Sequence, residues 1–313
     1  MPAVLISGGT GLIGRNLTHH LIERGYETII LTRQENKRSP GPGITYTYWN
    51  IEKGIIDPTV VRRADCIIHL AGAGVMDMRW TDEYKKEIVV SRTRSAELMI
   101  QCLRENNHHV SAFISASAIG WYGQDPKPLA SEDGFTESDQ PANDFLGTTC
   151  VLWEAAADLA ALPEIRVVKL RTGIVLSNDG GAFREFKNPL RFGVASILGN
   201  GKQVISWIHM DDLCRMYCEA IENHFLRGTY NAVAPGPVSQ KTLVCTLARK
   251  MRNTFFIPLN VPAVILKLIF GERSIEILKS ATVSCKKIKA TGFTFLYPSI
   301  QAAADELLAG GRK

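Results

Sequence analysis

With 313 residues, 45% of them hydrophobic and 21% charged, the chain has enough apolar material for a large core and a smaller lobe, which excludes an intrinsically disordered protein. The net charge of +5 is mild, and the basic residues are scattered apart from short clusters such as Lys286, Lys287 and Lys289. No nucleic-acid motif accompanies them, so no nucleic-acid partner is expected.

The first residues, MPAVLISGG, offer neither a basic leader nor an apolar stretch long enough for export. The most apolar segment, 257–270, is too short to span a bilayer and is interrupted by Pro258, Asn260, Pro262 and Lys267, so no membrane association is expected. Seven cysteines occur without a C-x-x-C pair, as expected for packed, reduced thiols in a cytoplasmic protein. Cys214 and Cys218 lie one helical turn apart, but no nearby histidine or carboxylate set completes a metal site, and none is expected.

In chain order, the first signal is Val4 to Gly14, VLISGGTGLIG, where an apolar run ends in glycines and passes into a helical pattern of Ile13, Leu17 and Leu21 that stops at Gly25. This reads as strand, tight turn and helix. Gly8 suits positive φ in the turn, Gly11 lets a ligand approach the backbone, and Gly14 lets helix and strand pack closely. Thr10, Leu12 and Ile13 complete the turn and the first helical residues, whose free N–H groups suit a pyrophosphate. A dinucleotide is therefore expected here.

The next strand, Glu27 to Arg33, ends where an acidic residue would hold the ribose 2′-hydroxyl of NAD. Here stand Thr32 and Arg33, with Lys37 and Arg38 behind, so a 2′-phosphate is favoured and NADP(H) is expected over NAD(H).

Further along, Ile44 to Trp49 reads as a strand, Asp57-Pro58 starts a short helix, and Cys66 to Leu70 reads as a fourth buried strand ending in Ala71 and Gly72. His69, inside that strand, reads as a hydrogen-bonded core residue. Thr81 caps a helix to about Arg104, with Asp82 and Lys86 at ion-pair spacing. Val110 to Ser115 is the next strand, opening into SASAIGWYG and a loop to about Asn143. A helix near 150–161 and a strand at 166–170 follow. This alternation specifies an α/β protein with a doubly wound parallel sheet, a Rossmann fold.

Beyond Arg171 the pattern becomes less regular: a glycine-rich connection, a helix near 183–192, a helix opened by Asp211, a short strand at 229–231 that joins the main sheet, and a helix capped by Ser239. We divide the chain into a dinucleotide-binding domain, 1–170 with additions from about 204–231, and a smaller C-terminal α/β substrate lobe, 171–313. The last fifty or so residues read as helices around a basic loop.

GGTGLIG, HLAG at 69–72, SASAIGWYG, LRTGIVL at 170–176 and WIHMDDL at 207–213 occur in one order that resembles the extended short-chain dehydrogenase/reductase superfamily. With RWT at 79–81 and SR at 91–92, the pattern is similar to its branch of epimerase-family, cell-division-inhibitor-like proteins. The resemblance implies a nicotinamide cofactor and a cleft between the two lobes. The nicotinamide end is expected near Leu70, Ala71 and Gly72, near Ser115 to Ser117, and near Arg171, Thr172 and Gly173, at the carboxyl ends of parallel strands.

The chain departs from that superfamily at its Tyr-x-x-x-Lys pair. Anchoring on Trp153-Glu154 puts Leu146 at the tyrosine position and Cys150 at the lysine position, and neither side chain can take over the acid–base work or hold the ribose. Ser117 and Tyr122 remain as candidate catalytic hydroxyls. The resemblance also implies an arginine for a sugar-nucleotide pyrophosphate, but Ile205 stands there, which disfavours that substrate; Trp207 and His209 are candidates to line the cleft. Two functions are compatible with this pattern: an NADP(H)-dependent oxidoreductase or epimerase acting on a small molecule, and a non-catalytic NADP(H)-binding redox sensor.

Overall fold

The computed structural model describes residues 1–126, 134–253 and 255–309; part of the loop expected up to Asn143 lies outside them. The chain runs β1 (Ala3–Ser7), α1 (Leu12–Glu23), β2 (Glu27–Thr32), β3 (Ile44–Asn50), β4 (Ile55–Ile56), α2 (Thr59–Arg63), β5 (Cys66–His69), α3 (Asp82–Glu105), β6 (Ala112–Ala118), α4 (Phe145–Asp158), β7 (Arg166–Thr172) and β8 (Ile174–Leu176). It continues through α5 (Ala182–Leu190), β9 (Val194–Leu198), β10 (Val204–Ile205), β11 (Trp207–His209), α6 (Met210–Glu222), β12 (Gly228–Ala232), β13 (Val238–Ser239), α7 (Gln240–Arg252), β14 (Ile257–Val261), α8 (Ala263–Phe270), α9 (Ser274–Leu278), α10 (Lys286–Ala290) and α11 (Ile300–Ala309).

The main sheet has eight strands in the order β12-β7-β6-β5-β1-β2-β3-β4, parallel except at the β3–β4 edge. β1 lies in its middle and is buried along its whole length because both faces are covered. Alternation along β1 divides its side chains between two cores. Val4 and Ile6 face α1 and α6 through Leu17, Leu21, Leu213 and Tyr217, whereas Ala3 and Leu5 face α2, α3 and α4 through Val61, Met99, Leu103 and Ala157. This two-faced cover is the doubly wound arrangement expected from the alternating pattern.

Several local expectations need correction. Cys66–His69 is the fifth strand rather than the fourth, because the short β4 turns back on β3. Two residues leave too little periodicity to be seen in sequence. α4 begins at Phe145, earlier than expected, because Asp144 caps it by accepting the Gly147 N–H at 2.7 Å. α6 is capped by His209, whose Nδ1 accepts the Asp211 N–H, so Asp211 lies inside the first turn. Segment 257–261, assigned to no element from the sequence, is a strand, β14, paired in parallel with β9. Thr81 and Ser239 cap α3 and α7 as anticipated. In the first turn of α3, Lys85 pairs at 2.7 Å with Glu272 of the C-terminal segment.

The second lobe has a core of its own, with Phe183, Leu190, Trp207, Leu243 and Leu247 packed beneath α11. β12 lies outside that lobe, running parallel to β7 at the edge of the main sheet. The C-terminal segment ties the lobes together: Arg273 Nη1 donates to the Met76 carbonyl at 2.6 Å, and the Thr282 N–H and hydroxyl both donate to Asp125.

Candidate dinucleotide site at the carboxyl edge of the sheet

β1 ends at Ser7 and the chain turns through Gly8, whose φ of +70° is the left-handed conformation glycine adopts without strain. The turn closes with the Gly11 N–H donating to the Gly8 carbonyl at 3.0 Å, and α1 starts at once. Gly14 is required by close approach: a Cβ there would stand 2.4 Å from the Gly8 oxygen. At Gly11 the situation is opposite. The residue is exposed, and a Cβ would meet only the Gly8 oxygen at 3.2 Å before pointing into open space. Exposed Thr10 and Gly11 thus border a cradle above the first-turn N–H groups of Leu12, Ile13 and Gly14, which helical geometry leaves without intrahelical acceptors. Gly181 of the second lobe lies over this turn, since its Cβ would stand 3.1 Å from Leu12 Cδ2.

Ser7 lies level with Leu31 on β2, so Arg33 emerges just beyond the carboxyl end of the neighbouring strand, beside the cradle. Thr32 is buried and its hydroxyl accepts the Gln34 N–H at 3.2 Å, which turns the chain and leaves Arg33 exposed. Arg38 is exposed too, while Lys37 rests its ammonium 4.5 Å from the centre of the Tyr46 ring. On the other side of β1, Leu70 and Ala71 are half-buried and Gly72 is exposed, so this edge also opens toward the groove.

The neighbouring strand ends are built differently. Ser115 is buried; its hydroxyl donates to the Ala116 carbonyl and lies 3.3 Å from His69 Nδ1. His69 sits in the core as expected, with Nε2 at 2.7 Å from the Ser95 hydroxyl, which itself donates to the Ser91 carbonyl. Nε2 therefore carries the proton. Burial, and secondarily the nearby Arg92 charge, pushes the His69 pKa down to about 3, so the imidazole is neutral.

Ser117, Tyr122 and Arg171 meet in one buried network. The Ser117 hydroxyl donates to Glu154 Oε1 at 2.7 Å, and Arg171 grips the same carboxylate with Nε at 2.7 Å and Nη2 at 3.1 Å. Arg171 Nη1 donates at 3.0 Å to the Tyr122 oxygen, whose own proton goes to Asn231 Oδ1 at 2.6 Å. The guanidinium also lies 3.6 Å from the centre of the Trp121 ring. Tyr122 is 4% exposed, and burial raises its pKa to about 12 despite the opposing influence of Arg171. Both hydroxyls singled out from the sequence are thus committed within the protein. Thr172 and Gly173, in contrast, stay half-buried at the end of β7.

Leu146 and Cys150 sit side by side against Gly120, at 3.2 and 3.8 Å from where its Cβ would be. The Cys150 Sγ donates to the Ala118 carbonyl, and burial pushes its thiol up to about 12, so it carries no charge. Trp207 and His209, candidates for the cleft, are also internal: Trp207 Nε1 donates to the Gly236 carbonyl, and His209 Nε2 lies 2.8 Å from Glu306. Sequence reading missed Glu154 and Asn231 as partners. Glu154, a carboxylate enclosed by the apolar run 150–157, was the available signal, since a buried charge requires a counter-charge.

The model of the NAD dependent epimerase/dehydratase family matches residues 4–232, nearly three-quarters of the chain. The chain belongs to that family. A domain of unknown function, DUF1731, matches residues 261–307. An epimerase family protein of Staphylococcus haemolyticus is 35% identical over 98% of this chain and 99% of its own. The crystal structure of human epimerase family protein SDR39U1 (isoform 2) with NADPH is similar over 98% of this chain and 99% of that one, with 28% identity and a TM-score of 0.83. A nucleoside-diphosphate sugar epimerase of Corynebacterium glutamicum is 30% identical, with a TM-score of 0.75, covering 98% of this chain and 58% of that one. Family membership and the fold agree with the resemblance read from the motifs.

Proposed function

We propose that this family member is a cytoplasmic NADP(H)-dependent oxidoreductase acting on a small molecule, with hydride chemistry supplied by the cofactor and no tyrosine acid–base pair. The observation that carries the proposal is the open cradle at Gly11 with exposed Arg33 and Arg38 beside it, cations where an NAD site needs an acceptor. The chain's own residues then bind and orient: the first-turn N–H groups of α1 hold the pyrophosphate, Arg33 takes the 2′-phosphate, and the edges at Leu70–Gly72 and Thr172–Gly173 flank the nicotinamide end. When bound, the cofactor gives or takes a hydride, which needs geometry more than side-chain chemistry. NADPH in the human relative supports this choice of dinucleotide. Ile205, half-buried on β10, offers no cation for a sugar-nucleotide pyrophosphate.

Because Leu146 has no transferable proton and the buried Cys150 thiol, its pKa pushed up to about 12, keeps its proton against the Ala118 carbonyl, the proton comes from the substrate or from water unless substrate binding frees Tyr122 or Ser117 from their partners. A second reading, a redox sensor that binds NADP(H) without turnover, is favoured by that closed network. Calorimetric titration tests the cofactor proposal: NADPH binds more tightly than NADH, and Arg33→Ala narrows the difference by about 1.5 to 3 kcal/mol. Equal affinities in the wild-type protein overturn it. A screen of carbonyl and enoyl compounds separates the readings. Turnover that collapses in Tyr122→Phe or Ser117→Ala with NADPH binding intact returns a chemical role to those hydroxyls, whereas tight binding with no turnover at all leaves the sensor.

A further inference from the structure

Arg92 is 8% exposed, and its guanidinium has no acidic partner among the described residues. Nη1 donates to the Ile88 carbonyl of its own helix at 2.7 Å, and no bond to a described residue uses Nε or Nη2. Glu154, one residue after the Trp153 that Arg92 touches, is bound by Arg171 and Ser117, and neighbouring Cys150 is a neutral thiol. Contact with the Trp153 ring, whose centre lies 4.8 Å from Cζ, offsets only part of the cost of burying the charge. Two of its nitrogens, Nε and Nη2, are therefore available to a counter-ion.

Its position says where the counter-ion comes from. The guanidinium presses against Gly72, where an added Cβ would stand 2.9 Å from Cζ and 3.1 Å from Nη1. Gly72 is itself exposed, and the Leu70–Ala71 peptide one residue earlier lies against the phosphate turn, since a Cβ on Gly8 would meet the Leu70 carbonyl and the Ala71 nitrogen within 2.9 Å. The preceding residue fixes the approach, with the Ser91 hydroxyl accepting the Ala73 N–H at 2.9 Å. Arg92 thus comes from α3 to the exposed edge at Gly72, with the buried Cys150 of α4 among its neighbours.

We propose that Arg92 binds an oxyanion beside Gly72, either a diphosphate oxygen of the dinucleotide or a carboxylate of the substrate. The inference rests on the proposed dinucleotide site. It assigns a ligand to the Ser91-Arg92 motif, which the cofactor reading leaves without a role.

The test uses NADPH and malonate as probes on the wild-type protein, Arg92→Met and Arg92→Lys, with thermal melting as a check on folding. If the cofactor supplies the oxyanion, Arg92→Met weakens NADPH binding at least tenfold and Arg92→Lys recovers most of the loss. If the substrate supplies it, NADPH affinity is unchanged, and malonate raises the melting temperature of the NADPH-loaded wild-type and Arg92→Lys proteins but not of NADPH-loaded Arg92→Met. Wild-type NADPH affinity in both variants, with an identical malonate response in all three proteins, overturns the proposal and leaves Arg92 as a packing residue. Failure of the wild-type protein to bind NADPH overturns the dinucleotide reading and this inference with it; Arg92→Met alone cannot produce that result.

Discussion

The carboxyl edge of the sheet has two halves that spend their polar groups in opposite ways. Around Gly11 and Arg33, backbone donors and cations are left exposed, and among the described residues only the Gly8 oxygen lies within 4 Å of where a Gly11 Cβ would be. Around Ser117, Tyr122 and Arg171, every polar group named is turned inward onto Glu154 and Asn231. The first half is built as a receptor. The second is built as part of the core, where a fully satisfied network fixes the packing of β6, β7, α4 and β12. The positions of the missing tyrosine and lysine thus adjoin a closed interior, while the phosphate cradle has the form a ligand requires.

If that contrast is right, changes in the closed half act on stability and changes in the open half act on binding. The largest stability effect is expected for Glu154→Ala, which strips Arg171, 3% exposed, of its carboxylate and leaves a buried guanidinium; the expected loss is about 3 to 5 kcal/mol in urea unfolding. A loss below about 1 kcal/mol would mean that the network is solvated and open to substrate.

His69 gives the next effect through acid. Its folded pKa, near 3, lies below the ordinary 6.5, so its contribution is fully present above pH 6.5 and is lost as pH falls toward 3, because the unfolded chain takes up a proton that the native core refuses. Between pH 7 and about pH 4.5 this amounts to about 3 kcal/mol, and His69→Gln should remove that part of the acid sensitivity. Parallel pH profiles of the two proteins count against a neutral buried imidazole.

Tyr122→Phe leaves the Asn231 oxygen without its donor, and we expect a cost of about 1 to 3 kcal/mol in the same assay, with NADPH affinity unchanged. A variant with wild-type stability and altered NADPH binding would place that hydroxyl in the open half instead.

The smallest stability effect is expected for Gly11→Val. Gly11 has φ −77° and ψ −179°, extended backbone that any residue adopts, and its Cβ direction is nearly empty, so unfolding should change by less than about 1 kcal/mol. NADPH binding should nevertheless be abolished, because the side chain occupies the cradle. Retained binding moves the pyrophosphate elsewhere.

The sequence by itself determined what is local. A glycine cluster between an apolar strand and an amphipathic helix dictates the turn, and the conformational and contact demands at Gly8 and Gly14 follow from backbone geometry within a few residues. The alternation of strand and helix likewise pointed to a parallel sheet covered on both faces, since strands that are apolar along their whole length need cover on both sides. The tertiary structure alone decided where polar side chains go when their partners are distant in the chain. Tyr122 meets Asn231 from the far edge strand, Glu154 meets Arg171 across two elements, and Arg92 meets Gly72 from the next helix. A hydroxyl in a suggestive motif carries no mark of which way it will point, because the hydrogen bond that orients it is formed only once the sheet has brought the two segments together.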